Sequence, residues 1–382
     1  VAIQYLPTEL TEVTRLVARF VDQELRPIVE DYESRQRFPV AFMPKMGELG
    51  FFGAAFPEAV GGTNLGKLGQ SLIVQELSKA SGGIGATVLV QVLSIYPIFR
   101  YGTPAQQETY LLPGIQGQKI ACIAVTEPNH GSDVAGIETT AVRDGTGYRL
   151  NGSKMFITNS PFADFLVVAA KTENHAADPH HQITLFIVER NNPGLQVGPH
   201  LQKLGWFTSE TAPVYLDNCW VPETAVIGEA GQGFYYIMDD FNFERLLLSA
   251  QCVGLAEEAL NIALRYARER TQFGQPIGAF QAIRHKLAAM ATQIEAGRLL
   301  LLEAASQADQ GQDSAIKTAS MAKYFCAEMV NRVAYDAIQV LGGAGYLRDY
   351  PLERIYRDAR ILPIGGGTSE IQLNIIARQL GL

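Results

Sequence analysis

The chain has 382 residues, of which 47% are hydrophobic and 18% charged, with a formal net charge of −8. That composition excludes a disordered chain, and the length exceeds what one small core holds, so two or three packed subdomains are expected. Lys and Arg nowhere form a long run, which argues against nucleic acid as a partner.

Residues 1–118 read as helical. Leu10, Val13, Leu16, Val17, Phe20 and Val21 recur at helical spacing, and a second apolar run covers 42–49. A Gly-rich loop is expected at 56–66, with helices again at 69–81 and 84–101. At Lys119 the character changes. Segments 120–126, 148–150, 165–170, 183–188 and 214–216 are short and apolar, several of them rich in β-branched residues. Asp144-Gly145, Asn151-Gly152 and Asn192-Pro193 punctuate them as turns. This predicts a compact β domain of the sandwich or barrel type over 119–230.

From 231 to 382 the pattern returns to helix, at 234–270, 280–309, 314–341 and 369–380. The first of these is apolar almost all round near Leu246, Leu247 and Leu248, as a buried helix is. The fold class expected is therefore α+β multidomain: an N-terminal helical domain, a central β domain and a C-terminal four-helix bundle. The surplus apolar faces of the bundle suggest a homo-oligomer.

The four cysteines, Cys122, Cys219, Cys252 and Cys326, are far apart and form no C-x-x-C pair. That argues against a disulfide scaffold or a zinc site and fits a reducing compartment. No apolar stretch reads as long enough to span a bilayer, and the N-terminus lacks a signal-peptide core, so a soluble, cytoplasmic protein is expected.

Two motifs compete for a chemical reading and lose, and two others are absent. Gly61-Gly62-Thr63-Asn64-Leu65-Gly66-Lys67 approaches a phosphate-binding loop, but Leu68 stands where Ser or Thr should hold magnesium, and no strand precedes it. His175, His180 and His181 crowd one segment beside Asp178-Pro179, where an exposed loop between strands is the better account than a metal site. There is neither a G-x-S-x-G elbow nor a strand followed by G-x-G-x-x-G, which argues against a serine hydrolase of that type and a Rossmann nicotinamide site.

Five segments remain that core packing does not explain. Thr126-Glu127-Pro128-Asn129-His130-Gly131-Ser132-Asp133 follows a strand and gathers hydroxyls, carboxylates and glycines that can face a polar ring or a phosphate. Lys154-Met155-Phe156-Ile157-Thr158 places an aromatic two residues from a hydroxyl. Arg270-Thr271-Gln272-Phe273-Gly274 ends a long helix with a guanidinium suited to pyrophosphate. Gln339-Val340-Leu341-Gly342-Gly343 is the fourth. Gly365-Gly366-Gly367-Thr368-Ser369-Glu370 opens a helix, where an anion is welcome.

Together and in this order the five segments resemble the acyl-CoA dehydrogenase family, over essentially the whole chain. The resemblance implies an FAD site. Ile123, Val125 and Thr126 would meet the pyrimidine side of the flavin, with Gly131 and Ser132 beside them. Phe156, Ile157 and Thr158 would flank the isoalloxazine, Thr158 near N5. Arg270, Gln272, Phe273 and Gln281, with Gln339, Gly342 and Gly343, would reach the FAD of a neighbouring subunit. Thr368 and Glu370 would finish the cofactor's own pocket.

Two departures are visible: His130 replaces a small residue, and Phe156 replaces a frequent Trp. A third concerns the chemistry itself. Most family members carry the catalytic Glu at the position of Gly366, whereas the long-chain and isovaleryl-type branch carries it on the long helix after the β domain. Glu244 matches that second position, and a lone carboxylate in such an apolar run should be paired or functional. Glu244 is thus the expected base, with Gly366 leaving room for it and offering its N–H to the thioester carbonyl.

By the same resemblance, Ser132, Phe241, Asn242, Arg245 and Gly367 would contact the substrate. The helix at 84–101 would line the acyl chain, where the small Gly85 and the apolar Leu89 suggest a deep or branched pocket. The implied reaction is dehydrogenation of an acyl-CoA to the trans-2-enoyl form, with an electron-transferring flavoprotein as acceptor and a tetramer as the assembly. An acyl-carrier-protein thioester as substrate, an acyl-CoA oxidase, a flavin monooxygenase and a non-catalytic thioester-binding flavoprotein remain open alternatives. A processed eukaryotic chain of this kind would reside in the mitochondrial matrix.

Overall fold

The structure is a computed structural model and describes residues 6–172 and 178–382. Helix α1 (Thr8–Phe20) buries Leu10, Val17 and Phe20 along one stripe, with Glu9 in its first turn and Arg19 in its last, as the helix dipole favours. A π-helical turn (Val21–Leu25) leads into α2 (Arg26–Arg35), which stops where Gln36 turns left-handed at φ 54°. There follow α3 (Met43–Glu48), α4 (Gly66–Ser78), α5 (Gly82–Tyr101), α6 (Pro104–Gln106) and α7 (Leu112–Ile115).

Next come β1 (Ala121–Ala124), β2 (Thr140–Asp144), β3 (Gly147–Thr158) and β4 (Phe165–Thr172), then β5 (Ile183–Glu189), β6 (Leu195–Val197), β7 (Thr211–Pro222) and β8 (Val226–Ile227). They form one mixed sheet in the order β6-β7-β3-β2-β4-β5-β8, with β1 parallel to β4. Asp144-Gly145 does turn a hairpin, since β2 and β3 pair Asp144 with Gly147 and Gly145 has φ 58°. Side chains of successive strand residues leave on opposite sides, and here both sides are buried. Phe165, Val167 and Ala169 of β4 join the large core shared with the helices, while Leu166, Val168 and Ala170 join a second core on the other face. β5 alternates in the same way.

The last part begins with α8 (Gly233–Glu269), followed by the hairpin of β9 (Thr271–Gln272) and β10 (Gln275–Pro276). Then come α9 (Gln281–Asp309), α10 (Ala315–Leu341), α11 (Leu352–Ala359) and α12 (Ser369–Gln379). Helices α8, α9 and α10 pack against one another and α12 lies on α10, which is the bundle. Helix α8 also lies along α4 and α5, so its buried run serves both helical parts.

Ser81 and Asp358 tie the parts together. Ser81 Oγ accepts from the N–H of Gly83 and meets Thr208 Oγ1 at 2.5 Å, while Asp358 on α11 accepts from the N–H groups of Gly82 and Trp206.

The expected elements stand, with corrections. β3 and β7 are much longer than 148–150 and 214–216, and β2, β6, β8 and α11 were not foreseen. The expectation that no stretch is long and apolar enough for a bilayer is also corrected. α5 and α8 are both long and apolar enough, and both are largely buried inside the fold. All four cysteines are free and buried.

Candidate active site

Two of the motif segments meet at the top of the sheet. The Met155 N–H donates to the Thr126 carbonyl at 2.8 Å. Beneath that contact, Lys154 is wholly buried and its ammonium bonds Glu127 Oε1 at 2.7 Å and the Val125 carbonyl at 3.1 Å. Glu127 also accepts from the N–H groups of Glu138 and Thr139, at 2.5 and 2.9 Å. Burial alone raises the Glu127 carboxyl, but Lys154 and these donors outweigh it and hold the group below the usual range. Burial pushes Lys154 down to about 8, against the pull of Glu127, so the pair stays charged at neutral pH.

Directly after Lys154 the ladder with β7 breaks: Lys154 pairs with Val214 and Ile157 with Ala212. In that bulge Phe156 takes φ 62°, a left-handed conformation costly for an aromatic residue, and its ring stands 64% exposed. Thr158 is half-buried, its hydroxyl 3.2 Å from Thr211 Oγ1. Ile157 and Val125 bury their side chains in the two cores, so only their backbone can face a ligand. Ile123 is half-buried, while Gly131 and Ser132 lie exposed in the following loop, with nothing within 4 Å of an added Cβ at Gly131. A bare aromatic face held out by a strained bulge, next to a hydroxyl, fits a planar ring such as a flavin.

The second half of the site comes from α8 and the loop before α12. Glu244 is half-buried, and its carboxylate makes no hydrogen bond or ion pair among the described residues. Burial drives it up to about 7, with Lys323 and Arg245 pulling the other way. A Cβ added at Gly366 would lie 3.2 Å from Glu244 Cδ, 3.4 Å from Oε1 and 2.2 Å from Leu248 Cδ1. Gly366 and Gly367 are left-handed, at φ 63° and 82°, and the Gly366 N–H finds no acceptor among the described residues. Lys323 of α10, fully buried, donates to the Gly367 carbonyl at 2.6 Å, and Gln372 donates to the carbonyls of Gly366 and Gly367 at 3.1 and 3.0 Å. These contacts pin the loop. Arg245 is buried and donates to Asn242, and burial brings it down to about 10. Phe241 and Asn242 are half-buried on the same turn. Thr368 caps α12 through the Ile371 N–H at 3.3 Å, and with Glu370 it borders a cleft of about 380 Å³.

Other predicted residues lie elsewhere. An added Cβ at Gly85 would meet Ser78 Oγ at 2.2 Å, so its smallness serves the close approach of α5 to α4 and not a deeper acyl pocket. Leu89 is in the large core. Arg270 caps the C-terminal end of α8, twenty-six residues beyond Glu244 and about 39 Å away at 1.5 Å per residue. Arg270, Gln272 and Phe273 are exposed on the β9–β10 hairpin and Gln281 just after it. Phe273 and Gly274, both left-handed, make the tip, and the Phe273 ring is 92% exposed. Gln339, Gly342 and Gly343 are exposed at the C-terminal end of α10. This group cannot touch the chain's own Glu244 region.

The apparent phosphate loop is closed by the protein itself. Asp309 takes the N–H groups of Lys67 and Leu68, at 2.7 and 3.0 Å, where a phosphate would sit. His180 and His181 both turn to Asp178 in a short 3-10 turn, and His175 lies outside the described residues. Sequence reasoning missed Lys323 and the Glu127–Lys154 pair. Lys323 inside the apolar run Ala319 to Ala327, and Lys154 directly before Met155-Phe156-Ile157, were the available signal.

Models of three acyl-CoA dehydrogenase domains match the chain: the N-terminal domain over residues 7–118, the middle domain over 122–219 and the C-terminal domain over 231–381. The chain is 40% identical over 376 residues to a 3-(aryl)acrylate reductase of Clostridium sporogenes, covering 98% of this chain and 99% of that protein. Among solved structures it is similar to butyryl-CoA dehydrogenase from Megasphaera elsdenii, with a TM-score of 0.95 and 35% identity over 99% of both chains. It is also similar to the FAD complex of PigA, with a TM-score of 0.94 and 31% identity over 99% of this chain and 98% of that one. The chain therefore belongs to the acyl-CoA dehydrogenase family, three-part flavoproteins whose reaction is the FAD-dependent dehydrogenation of an acyl-CoA thioester.

Proposed function

We propose that Glu244 is the base of this acyl-CoA dehydrogenase and that Gly366 supplies the donor to the thioester carbonyl. The observation that carries this reading is the contact between them. Gly366 has no side chain where most relatives would place a carboxylate, and the Glu244 carboxyl reaches from α8 to the space a side chain there would enter. Glu244 would take the α-proton. The free Gly366 N–H would stabilise the charge that develops on the carbonyl oxygen, an effect worth about 3 kcal/mol in comparable oxyanion sites. FAD, when bound, supplies the acceptor for the β-hydride. Phe156 and Thr158, with the backbone at Ile123, Val125, Thr126 and Ile157, would hold its ring, Gly131 and Ser132 would lie beside it with Ser132 also meeting the substrate, and Thr368 and Glu370 would close the pocket. Phe241, Asn242, Arg245 and Gly367 would orient the CoA arm.

The exposed hairpin and the end of α10 extend the reading to an assembly. Arg270, Gln272, Phe273, Gln281, Gln339, Gly342 and Gly343 would reach the FAD of a second copy, within a homotetramer. The division at residues 1–118, 119–230 and 231–382 belongs to the same reading. So do an electron-transferring flavoprotein as acceptor and a cytoplasmic location, the latter in keeping with four free, buried cysteines.

The test is anaerobic mixing of the FAD-loaded protein with a panel of acyl-CoAs. Wild type should bleach with at least one thioester, and Glu244→Gln should bleach with none. Equal bleaching by the variant would remove Glu244 from the role of base.

A further inference from the structure

Asp240 lies one turn before Glu244 on α8, so the two share a helix face. It is wholly buried, and neither of its carboxylate oxygens has a hydrogen-bond partner among the described residues. Such a group is costly unless something completes it. Burial, with Glu244 and Asp239 near, keeps it protonated far above the usual carboxylate range.

Lys67, at the start of α4, is the cation that faces this region. Its ammonium lies 5.5 Å from the Tyr96 ring and 5.6 Å from the Phe243 ring, and it enters no ion pair among the described residues. The neighbouring acids are occupied elsewhere. Asp239 takes Arg100 at 3.3 Å and the Tyr101 hydroxyl at 2.8 Å, and Asp309 takes the start of α4. Burial lowers the Lys67 ammonium, with Asp239 and Asp309 opposing. A buried acid and an inward-turned ammonium thus stand near each other, and neither touches the other. The two rings against the Lys67 ammonium, Tyr96 and Phe243, are themselves buried and have centroids 5.2 Å apart.

A hydroxyl completes this arrangement with one atom. Its oxygen accepts from Lys67, its hydrogen goes to an Asp240 oxygen, and the rings cover the carbons that carry it. We propose that Lys67 and Asp240 are the specificity residues of the acyl site, and that the enzyme takes an acyl group bearing a hydroxyl beyond the reacting bond. The proposal rests on Glu244 marking the α-carbon. One helical turn, about 5.4 Å, separates Asp240 from it and sets the hydroxyl roughly four to five bonds further along the chain.

Binding to Glu244→Gln holoenzyme, measured by titration calorimetry, tests this apart from turnover. The probes are 6-hydroxyhexanoyl-CoA, hexanoyl-CoA and adipoyl-CoA. The hydroxylated thioester should bind about tenfold more tightly than the alkyl one, the gain expected of one satisfied polar pair. Lys67→Met and, separately, Asp240→Asn in the same background should bring the ratio close to one while FAD absorbance stays intact. Asp240→Leu serves if Asp240→Asn loses FAD. Equal or tighter binding of hexanoyl-CoA, or a preference that survives both variants, overturns the proposal, and adipoyl-CoA as the best ligand replaces the hydroxyl with an anion. Bleaching of the Glu244→Gln flavin by any probe instead sinks the base assignment, a separate failure.

Discussion

Gly366 is held to glycine by its backbone and its neighbours at once. A left-handed φ of 63° disfavours any side chain, and a methyl group would press on Leu248 and on the Glu244 carboxyl. Gly366→Ala should therefore lose about 1–3 kcal/mol of stability by thermal unfolding, and its bleaching rate should fall by at least about a hundredfold as the N–H and the carboxyl shift. A rate close to that of wild type would show the loop has room that the geometry denies. Glu244 gives a pH signature of its own. Its acid is raised in the folded protein to about 7, so the folded state binds the extra proton between the ordinary carboxylate range and about 7. Stability from this group is accordingly lost as the pH climbs through that window, while the base form, and with it the bleaching rate, appears. Both residues were singled out in the sequence, Glu244 as a lone carboxylate in an apolar run and Gly366 by the family resemblance, and the fold brings them together. Lys323 left a signal as a lysine inside an apolar run, but its partner was not legible, since only the folded chain brings α10 to the Gly367 carbonyl. Gly85 misled, because its smallness answers to Ser78 and not to a ligand.

At the scale of elements, the bulge in β3 depends on the charge beneath it. Lys154 and Glu127 are buried together, so removing one partner strands the other. Lys154→Met should cost about 3–5 kcal/mol and release FAD more readily, read by thermal unfolding and by flavin fluorescence on dilution. An unchanged midpoint would mean that the bulge stands without the pair. The same strand shows why the sequence under-reported the sheet. Asn151-Gly152 reads as a turn, yet Gly152 sits inside β3 at φ 152°, where Thr139 packs against its Cα. Pairing with β7, some sixty residues away, overrides the local signal. α11 was hidden for the opposite reason: Arg354 and Asp358, charged and so expected at the surface, are buried, Arg354 on Glu30 and the Ala80 carbonyl and Asp358 on the N–H groups of Gly82 and Trp206. Long apolar helices such as α8 were visible because their periodicity is carried by the segment itself.

At the scale of the whole molecule, the hairpin after α8 presents Phe273 to solvent far from the chain's own Glu244. Placed against a second copy, it would complete that copy's cofactor site. Phe273→Asp should then lower the mass measured by light scattering and weaken FAD retention together, whereas loss of neither would leave the hairpin without its partner. The order of helices, strands and helices was readable from apolar spacing and turn signals, but the seam between them was not, because Ser81, Thr208 and Asp358 come from distant segments.

The alternation along β4 and β5 has a last consequence. Since neighbouring residues answer to two different cores, a strand shifted by one residue would exchange them. The middle segment expressed by itself would present a bare apolar sheet, prone to clump with its own kind. Evolution can thus trade loops and hairpins on this chain piecemeal, but the sheet travels with its helices or not at all.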